Sequence, residues 1–235
     1  MDFPTPLISG TLIKRYKRFL SDITLENGEV VTAHCANSGS MMGLKEPGYK
    51  VWLSKSDNPK RKLKFSWELV DTGPALVGVN TSHPNKIVSE AISNREVPEL
   101  AGYDTLRNEV KYGENSRIDI LLQSEGKADC YVEVKNVTLS REDGLAEFPD
   151  AVTARGTKHL KELANMVEQG HRATMFYLVQ RTDCDRFRLA SDIDPAYSEA
   201  FKEAVAAGVE IICYDCHITP ERIGINHTIS LIEND

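Results

Sequence analysis

Three side chains near the middle of the chain could do metal-assisted chemistry together: Asp119, Glu133 and Lys135. Glu133 and Lys135 are two residues apart, and residues two apart on a strand share a face. Val132 and Val134 then fill the opposite, apolar face. Two carboxylates are hard oxygen ligands for a divalent cation, and a neighbouring ammonium can hold or polarise a water. The same residues also read as a cross-strand ion pair on the surface of a sheet, so the elements around them must decide.

Those elements start with a hairpin. Ile118, Ile120 and Leu121 mark a first strand, and Tyr131 to Thr138 a second. Gln123 to Lys127 is polar and contains Gly126, so it turns. If the strands pair, Asp119 comes near Glu133. Leu106 to Tyr112 supplies a third strand. Before it, Lys86 to Asn94 reads as a helix with Ile87, Val88, Ala91 and Ile92 on one stripe. Asn85 is placed to cap it. Glu90 lies beside the stripe, either as a solvated residue or as an accessory carboxylate reaching the pair.

After the hairpin, Glu142 to Pro149 is acidic and contains Gly144, and it reads as a loop overhanging a site. Residues 155–170 form a helix, with Leu160, Leu163, Ala164 and Val167 at helical spacing and Gly170 as the stop. Arg155 and Lys158 lie at its start. Residues 173–180 are nearly all apolar, as in a strand buried on both faces. Asp194–Pro195 opens a last helix that ends at Gly208. Val209 to Tyr214 is a further buried strand, and Asn226 to Ile232 adds another. This succession is an α/β sandwich around a mixed sheet.

The first 83 residues read differently. Leu7–Arg15, Phe19–Leu25, Val30–Cys35, Tyr49–Ser54, Phe65–Asp71 and Ala75–Val79 are strand-like, with an Asn27–Gly28 hairpin signal. Short strands at this spacing suggest an OB-type barrel. A polar stretch from Asn80 to Asn85 is the hinge, giving domains 1–83 and 84–235. The barrel carries two basic clusters: Lys14, Arg15, Lys17 and Arg18 around Tyr16, and Lys60, Arg61, Lys62 and Lys64 beside Phe65 and Trp67. Cations interleaved with aromatics suit single-stranded nucleic acid. Lysines on edge strands equally block unwanted strand pairing.

Composition narrows the classes. The 235 residues are 41% hydrophobic, enough for a proper core. No apolar run approaches the ~20 residues of a membrane span, and the amino terminus has no signal-peptide pattern, so the expected location is the cytoplasm. Five cysteines at irregular spacing suggest no disulfide framework. Cys213-Tyr-Asp-Cys216-His217 matches a haem-attachment pattern, but it falls at the end of a strand in a chain without an export signal and reads as plain thiols. The net charge of −7 is unevenly spread: residues 1–84 hold 11 cations and 8 anions, the remainder 17 and 27. The first part favours phosphate; the second needs a metal before it can face a polyanion. No phosphate loop and no GxGxxG segment is present.

The Asp…Glu-x-Lys arrangement resembles the core of the PD-(D/E)xK nuclease superfamily. Ile118 stands where that pattern often has Pro, a position that varies among members. Further segments together resemble the sugar fermentation stimulation protein A family: HCANSGSM (34–41) with Gly43-Leu44 and Pro47-Gly48, then VGVNTSHPN (77–85), RIDILL (117–122), YVEVKNVTL (131–139), FPDAVTARGTKHLKEL (148–163) and AYSEAFKEAVAAGVEIICYDC (196–216). The match runs in order along almost the whole chain. It implies an OB-like barrel followed by a restriction-endonuclease-like α/β domain, sequence-nonspecific DNA binding, and a regulatory link to sugar metabolism, especially maltose. Carried over residue by residue, it implies metal ligation by Asp119 and Glu133, a water-orienting Lys135, an accessory Glu90, and Mg²⁺ or Mn²⁺ as the ion. Lys14, Arg15, Lys17, Arg18, Lys60, Arg61, Lys62, Lys64, Arg155 and Lys158 are the expected DNA contacts. The competing reading is a DNA-binding regulator without catalysis. A homodimer is compatible with either.

Overall fold

The structure, a computed structural model, describes residues 1–113 and 116–232. β1 (Ile8–Tyr16), β2 (Leu20–Leu25), β3 (Val30–His34), β4 (Lys50–Lys55), β5 (Phe65–Asp71) and β6 (Leu76–Gly78) follow one another. β2 alternates open and buried residues along its length, the pattern of a strand with one face on a core. The strands order as β3-β2-β1-β4-β5-β6, and β3 also pairs with β5 through Ala33–Phe65 and His34–Ser66. That pairing closes five strands into a barrel and removes their free edges. Leu12, Ile23, Val51, Leu53 and Trp67 fill it.

The segment 80–83 is tied to the barrel by one buried carboxylate. Glu68 on β5 accepts hydrogen bonds from Ser54 Oγ (2.6 Å) and Asn80 Nδ2 (2.7 Å), and pairs with His83 Nε2 at 2.7 Å. The first residues leave the barrel and join the other half: Phe3 N–H donates to Glu221 O, and Met1 packs in the cluster under α1 (Pro84–Ser93).

Then come β7 (Thr105–Tyr112), β8 (Ser116–Gln123), β9 (Cys130–Val137), β10 (Leu139–Glu142), β11 (Gly144–Phe148), α2 (Ala154–Glu168), β12 (Arg172–Val179), β13 (Cys184–Leu189), α3 (Pro195–Ala206), β14 (Glu210–Ile218), β15 (Ile223–Thr228) and β16 (Ser230–Leu231). The main sheet is β15-β14-β12-β9-β8-β7. β12 runs parallel to both β9 and β14, while the outer pairs are antiparallel. β12 is central and buried over nearly its whole length. Leu160 and Leu163 of α2 cover one face, against Ile118, Leu121, Val137 and Tyr177. Ile87, Val88 and Ala91 of α1 cover the other, against Ile120, Val132 and Phe176.

Two expectations fail here. The stretch Glu142 to Pro149 is not an overhanging loop: it holds β11, which with β10, β13 and β16 makes a second sheet. Its acidity misleads because Glu147 is fully buried yet neutralised by Arg141 (2.7 Å) and Arg188 (3.0 Å); a paired carboxylate can sit inside a sheet. Asn85 does not cap α1 either. His83 holds the cap position with Pro84 first in the helix, and the Asn85 side chain is engaged elsewhere. Cys213 and Cys216 are buried free thiols in separate core clusters, on opposite faces of β14.

Candidate active site

β8 and β9 pair from Leu122–Cys130 to Ile120–Val132, and then the ladder stops. The next pair in that register is Asp119 opposite Glu133. The strands part instead, and the Asp119 carboxylate enters the fork. Val134 N–H donates to its Oδ2 at 2.8 Å, and Asn85 Nδ2, from the first turn of α1, donates to Oδ1 at 2.7 Å.

Glu133, almost wholly buried, turns toward α2. Its Oε1 accepts a hydrogen bond from Lys135 Nζ at 2.6 Å and a shorter one from His159 Nδ1. Arg155, one turn earlier on α2, donates from Nε to His159 Nε2 at 3.3 Å. Lys135 Nζ also lies 3.3 Å from His159 Nδ1. Glu133 Oε2 is buried and has no hydrogen-bond partner among the described residues. A buried carboxylate oxygen without a partner is rare, and an ion is one of the things that explains it.

The two carboxylates titrate apart. Burial, then the charge of Glu133, pushes the Asp119 carboxyl up to about 6, against the opposing pull of Val134 N–H, Lys135 and Asn85. Burial pushes Glu133 up as well, but the charge of Lys135 and the hydrogen bond from His159 outweigh it and hold Glu133 below the ordinary carboxylate value. Tyr112, behind the fork, is pushed far up by burial and by the charges of Glu133, Glu162 and Asp119.

On the far side of β8, Glu109 faces Asp119 between the pairs Asn108–Ile120 and Val110–Ile118. Its φ is +54°, a left-handed conformation inside a strand, and Arg117 Nη1 holds its carbonyl at 2.8 Å. Such backbone costs about 1–3 kcal/mol for a non-glycine residue and concentrates at functional sites. Asn85 Nδ2 also lies 3.4 Å from Glu109 Oε1, so one amide spans two carboxylates.

Asp119, Glu133 and Lys135 therefore converge. Glu90 does not join them: its carboxylate pairs with the Met1 ammonium (2.8 Å) and Lys86 Nζ (3.7 Å). It lies five residues past Asn85, about 140° further round the helix, so one α1 side cannot present both. Arg155 and Lys158 flank the site with Arg117, around a groove that His159 and Glu109 also line. The barrel cations divide. Arg15 Nη2 is bound to Asn37 O (2.8 Å) and Gly39 O (3.3 Å), Arg61 to Ser66 Oγ, Lys64 to Asn58 O, and Lys14 to Asp22. Lys17, Arg18, Lys60 and Lys62 are exposed, and among the described residues their side chains have no ion-pair or hydrogen-bond partner. Lys17 and Arg18 form the β1–β2 turn with positive φ.

Sequence reading missed His159, Asn85 and Glu109. The Arg155/His159 spacing of four, which stacks both on one helix face, was the available signal for His159. Nothing local marks Asn85 or Glu109, because their roles depend on α1 and β7 meeting β8.

Among the described residues no cluster of three or more His, Cys, Asp and Glu could hold a metal by itself. Two carboxylates suffice for an ion such as Mg²⁺, which keeps waters and takes substrate phosphate oxygens as its other ligands. Both carboxylates are hard oxygen donors, and Glu133 Oε2 lacks a partner among the described residues, so the residues fit. No helix among the described residues is long and apolar enough to cross a membrane.

Comparison with known proteins agrees with this organisation. Residues 13–79 match the SfsA N-terminal OB domain, and residues 82–222 match the sugar fermentation stimulation protein RE domain. A sugar fermentation stimulation protein homolog from Rhodospirillum centenum is 59% identical, covering 98% of this chain and 99% of its own. One from Ruegeria sp. (strain TM1040) is 62% identical over 96% of this chain and 97% of its own. The solved structure of Pyrococcus furiosus SfsA in complex with Ca²⁺ is similar over 99% of this chain and 98% of that one, with a TM-score of 0.88 and 25% identity. Matched end to end by these relatives, and by both domains in order, the chain belongs to the sugar fermentation stimulation protein (SfsA) family.

Proposed function

We propose that the protein is a divalent-metal-dependent DNA phosphodiesterase that holds the strand by its backbone, without reading bases. One observation carries this: where β8 and β9 part, the Asp119 carboxylate enters the fork within reach of the Glu133 charge, Lys135 sits on Glu133, and a buried Glu133 oxygen is left without a partner among the described residues. The Ca²⁺ complex of the Pyrococcus furiosus relative supports a hard divalent cation in this fold. When bound, Mg²⁺ or Mn²⁺ supplies Lewis acidity and a more acidic water. Asp119 and Glu133 would hold it, and Asn85 and Val134 N–H fix the Asp119 carboxylate. His159 keeps Glu133 Oε1 occupied, so that Oε2 is presented. Lys135 orients the attacking water and offsets charge developing on the phosphoryl oxygens. Arg117, Arg155 and Lys158 take the flanking phosphates, and Lys17, Arg18, Lys60 and Lys62 extend the grip onto the barrel. Glu90, expected as an accessory ligand, is left out because its carboxylate is held by Met1 and Lys86. The link to sugar metabolism comes from the family resemblance.

The test is incubation of the wild type, Asp119→Ala and Lys135→Ala with labelled DNA, with and without Mg²⁺ or Mn²⁺. Metal-dependent cleavage lost in both variants supports the reading. Equal DNA binding by all three without cleavage would leave a DNA-binding regulator instead.

A further inference from the structure

A second cavity, of about 270 Å³, opens between the barrel and the α/β domain. The barrel contributes Asn37, Ser38 and Gly39; the other wall is the end of β9 and residues 147–153. Both walls are prebuilt. Asn37 Nδ2 donates to Val79 O (3.0 Å), its Oδ1 accepts Gly39 N–H (2.8 Å), and Arg15 grips the loop from behind. Asp150 latches the rim across the two domains by accepting from Met41 N–H (3.3 Å) and Ser40 Oγ (3.4 Å). A Cβ at Gly39 would meet the Asp150 carboxylate and force it to shift.

Inside, two polar groups are unused. Thr138 is 6% exposed, and its hydroxyl makes no hydrogen bond among the described residues. Asn136 accepts from Gln180 Nε2 through Oδ1, which leaves its NH₂ free. Leu139, Phe148, Pro149 and Val152 add apolar surface; the two carboxylates in the lining are both engaged, Glu147 by Arg141 and Arg188 and Asp150 by Met41 N–H and Ser40 Oγ, and no lysine or arginine lines the cavity. The groove beside His159 is the reverse, lined by Arg117, Arg155 and Lys158. The cavity also lies close to the chemistry. Thr138 lies three residues past Lys135, about 10 Å along an extended chain, with Asn136 between them on the face of β9 opposite Lys135.

We propose that this cavity is a nucleoside pocket, taking one unpaired base and sugar of a DNA strand whose phosphates lie in the cationic groove. The proposal rests on the phosphodiesterase reading and adds its substrate class: DNA that is single-stranded at the active site. Neutral donors and acceptors beside apolar surface suit a base and sugar, whereas cations suit phosphate. The cavity is too small for a duplex, and a base enters a pocket only when out of its stack, which costs least in a strand already unpaired.

The experiment is fluorescence anisotropy of the full chain in EDTA, with a single-stranded oligonucleotide and its duplex, so that no turnover intervenes. The expected result is at least tenfold tighter binding of the single strand. Asn136→Ala/Thr138→Val, checked for wild-type thermal unfolding, should weaken single-strand binding about tenfold, as two lost hydrogen bonds allow, and leave the duplex unchanged. Equal wild-type affinity for both forms, or no effect in a folded double variant, overturns the pocket. If the double variant does not fold, photocrosslinking of the wild type to a 5-bromouracil oligonucleotide decides: adducts within residues 36–39 or 136–153 support the pocket, and adducts only elsewhere overturn it. Cleavage is scored separately. Single-strand preference without metal-dependent cleavage defeats the phosphodiesterase reading and keeps the pocket; cleavage without preference defeats the pocket alone.

Discussion

Asp119→Asn should make the metal-free protein more stable at neutral pH and less stable in acid. The Asp119 carboxyl is raised from 3.8 to about 6 by burial and by Glu133. At about 1.36 kcal/mol per pH unit, that is roughly 3 kcal/mol against the ionised, folded state. The sign follows from linkage. Below about pH 4 the group is protonated in folded and unfolded chains alike and contributes nothing. Between about 4 and 6 only the unfolded chain ionises, so folding stability falls as pH rises. Above 6 both are ionised and the full penalty stands. Asparagine removes the penalty but has one acceptor oxygen for the two donors, Val134 N–H and Asn85 Nδ2, a loss of about 1 kcal/mol. The variant should therefore be about 1 kcal/mol less stable than wild type at pH 4 and about 2 kcal/mol more stable at pH 7.5. Urea unfolding in EDTA across that range measures it. Saturating Mg²⁺ or Mn²⁺ should then reverse the order at pH 7.5, because only the wild type gains from ion binding, about 2.7 kcal/mol at a hundredfold excess over Kd. A stability difference that does not change with pH would refute the electrostatic account of the fork. A variant stabilised by the ion as much as wild type would refute the assignment of Asp119 as a ligand.

His159→Ala should weaken Mn²⁺ binding by 10- to 100-fold in calorimetry, as loss of a residue that orients a ligand does; unchanged affinity would reduce His159 to packing. Because the ion must displace the Asp119 proton, wild-type metal affinity should fall about tenfold per unit below pH 6 and level off above it; the same titration at several pH values tests this. Arg117→Ala, Arg155→Ala and Lys158→Ala should each lower the slope of log K for DNA against log salt by about one. Unaltered slopes would place the strand elsewhere.

The sequence by itself determined the elements and their contents. Alternation marked the barrel strands, apolar runs marked β12 and β14, and helical spacing marked α1, α2 and α3, because local side-chain period and solvent exposure are linked. It also held the chemical triad, since Glu133 and Lys135 two apart on a strand must share a face. The tertiary structure decided what those elements meet. Asp119 reaches Glu133 only because the β8–β9 ladder stops after Ile120–Val132 and lets its side chain into the fork. Glu90 turned to Met1 and Asn85 to Asp119, an exchange set by how α1 is rotated against the sheet. Glu147 became the interior of a strand because Arg141 and Arg188 arrive from neighbouring strands to neutralise it. Each outcome depends on a partner distant in the chain, and local spacing carries no information about which distant group will compensate a charge.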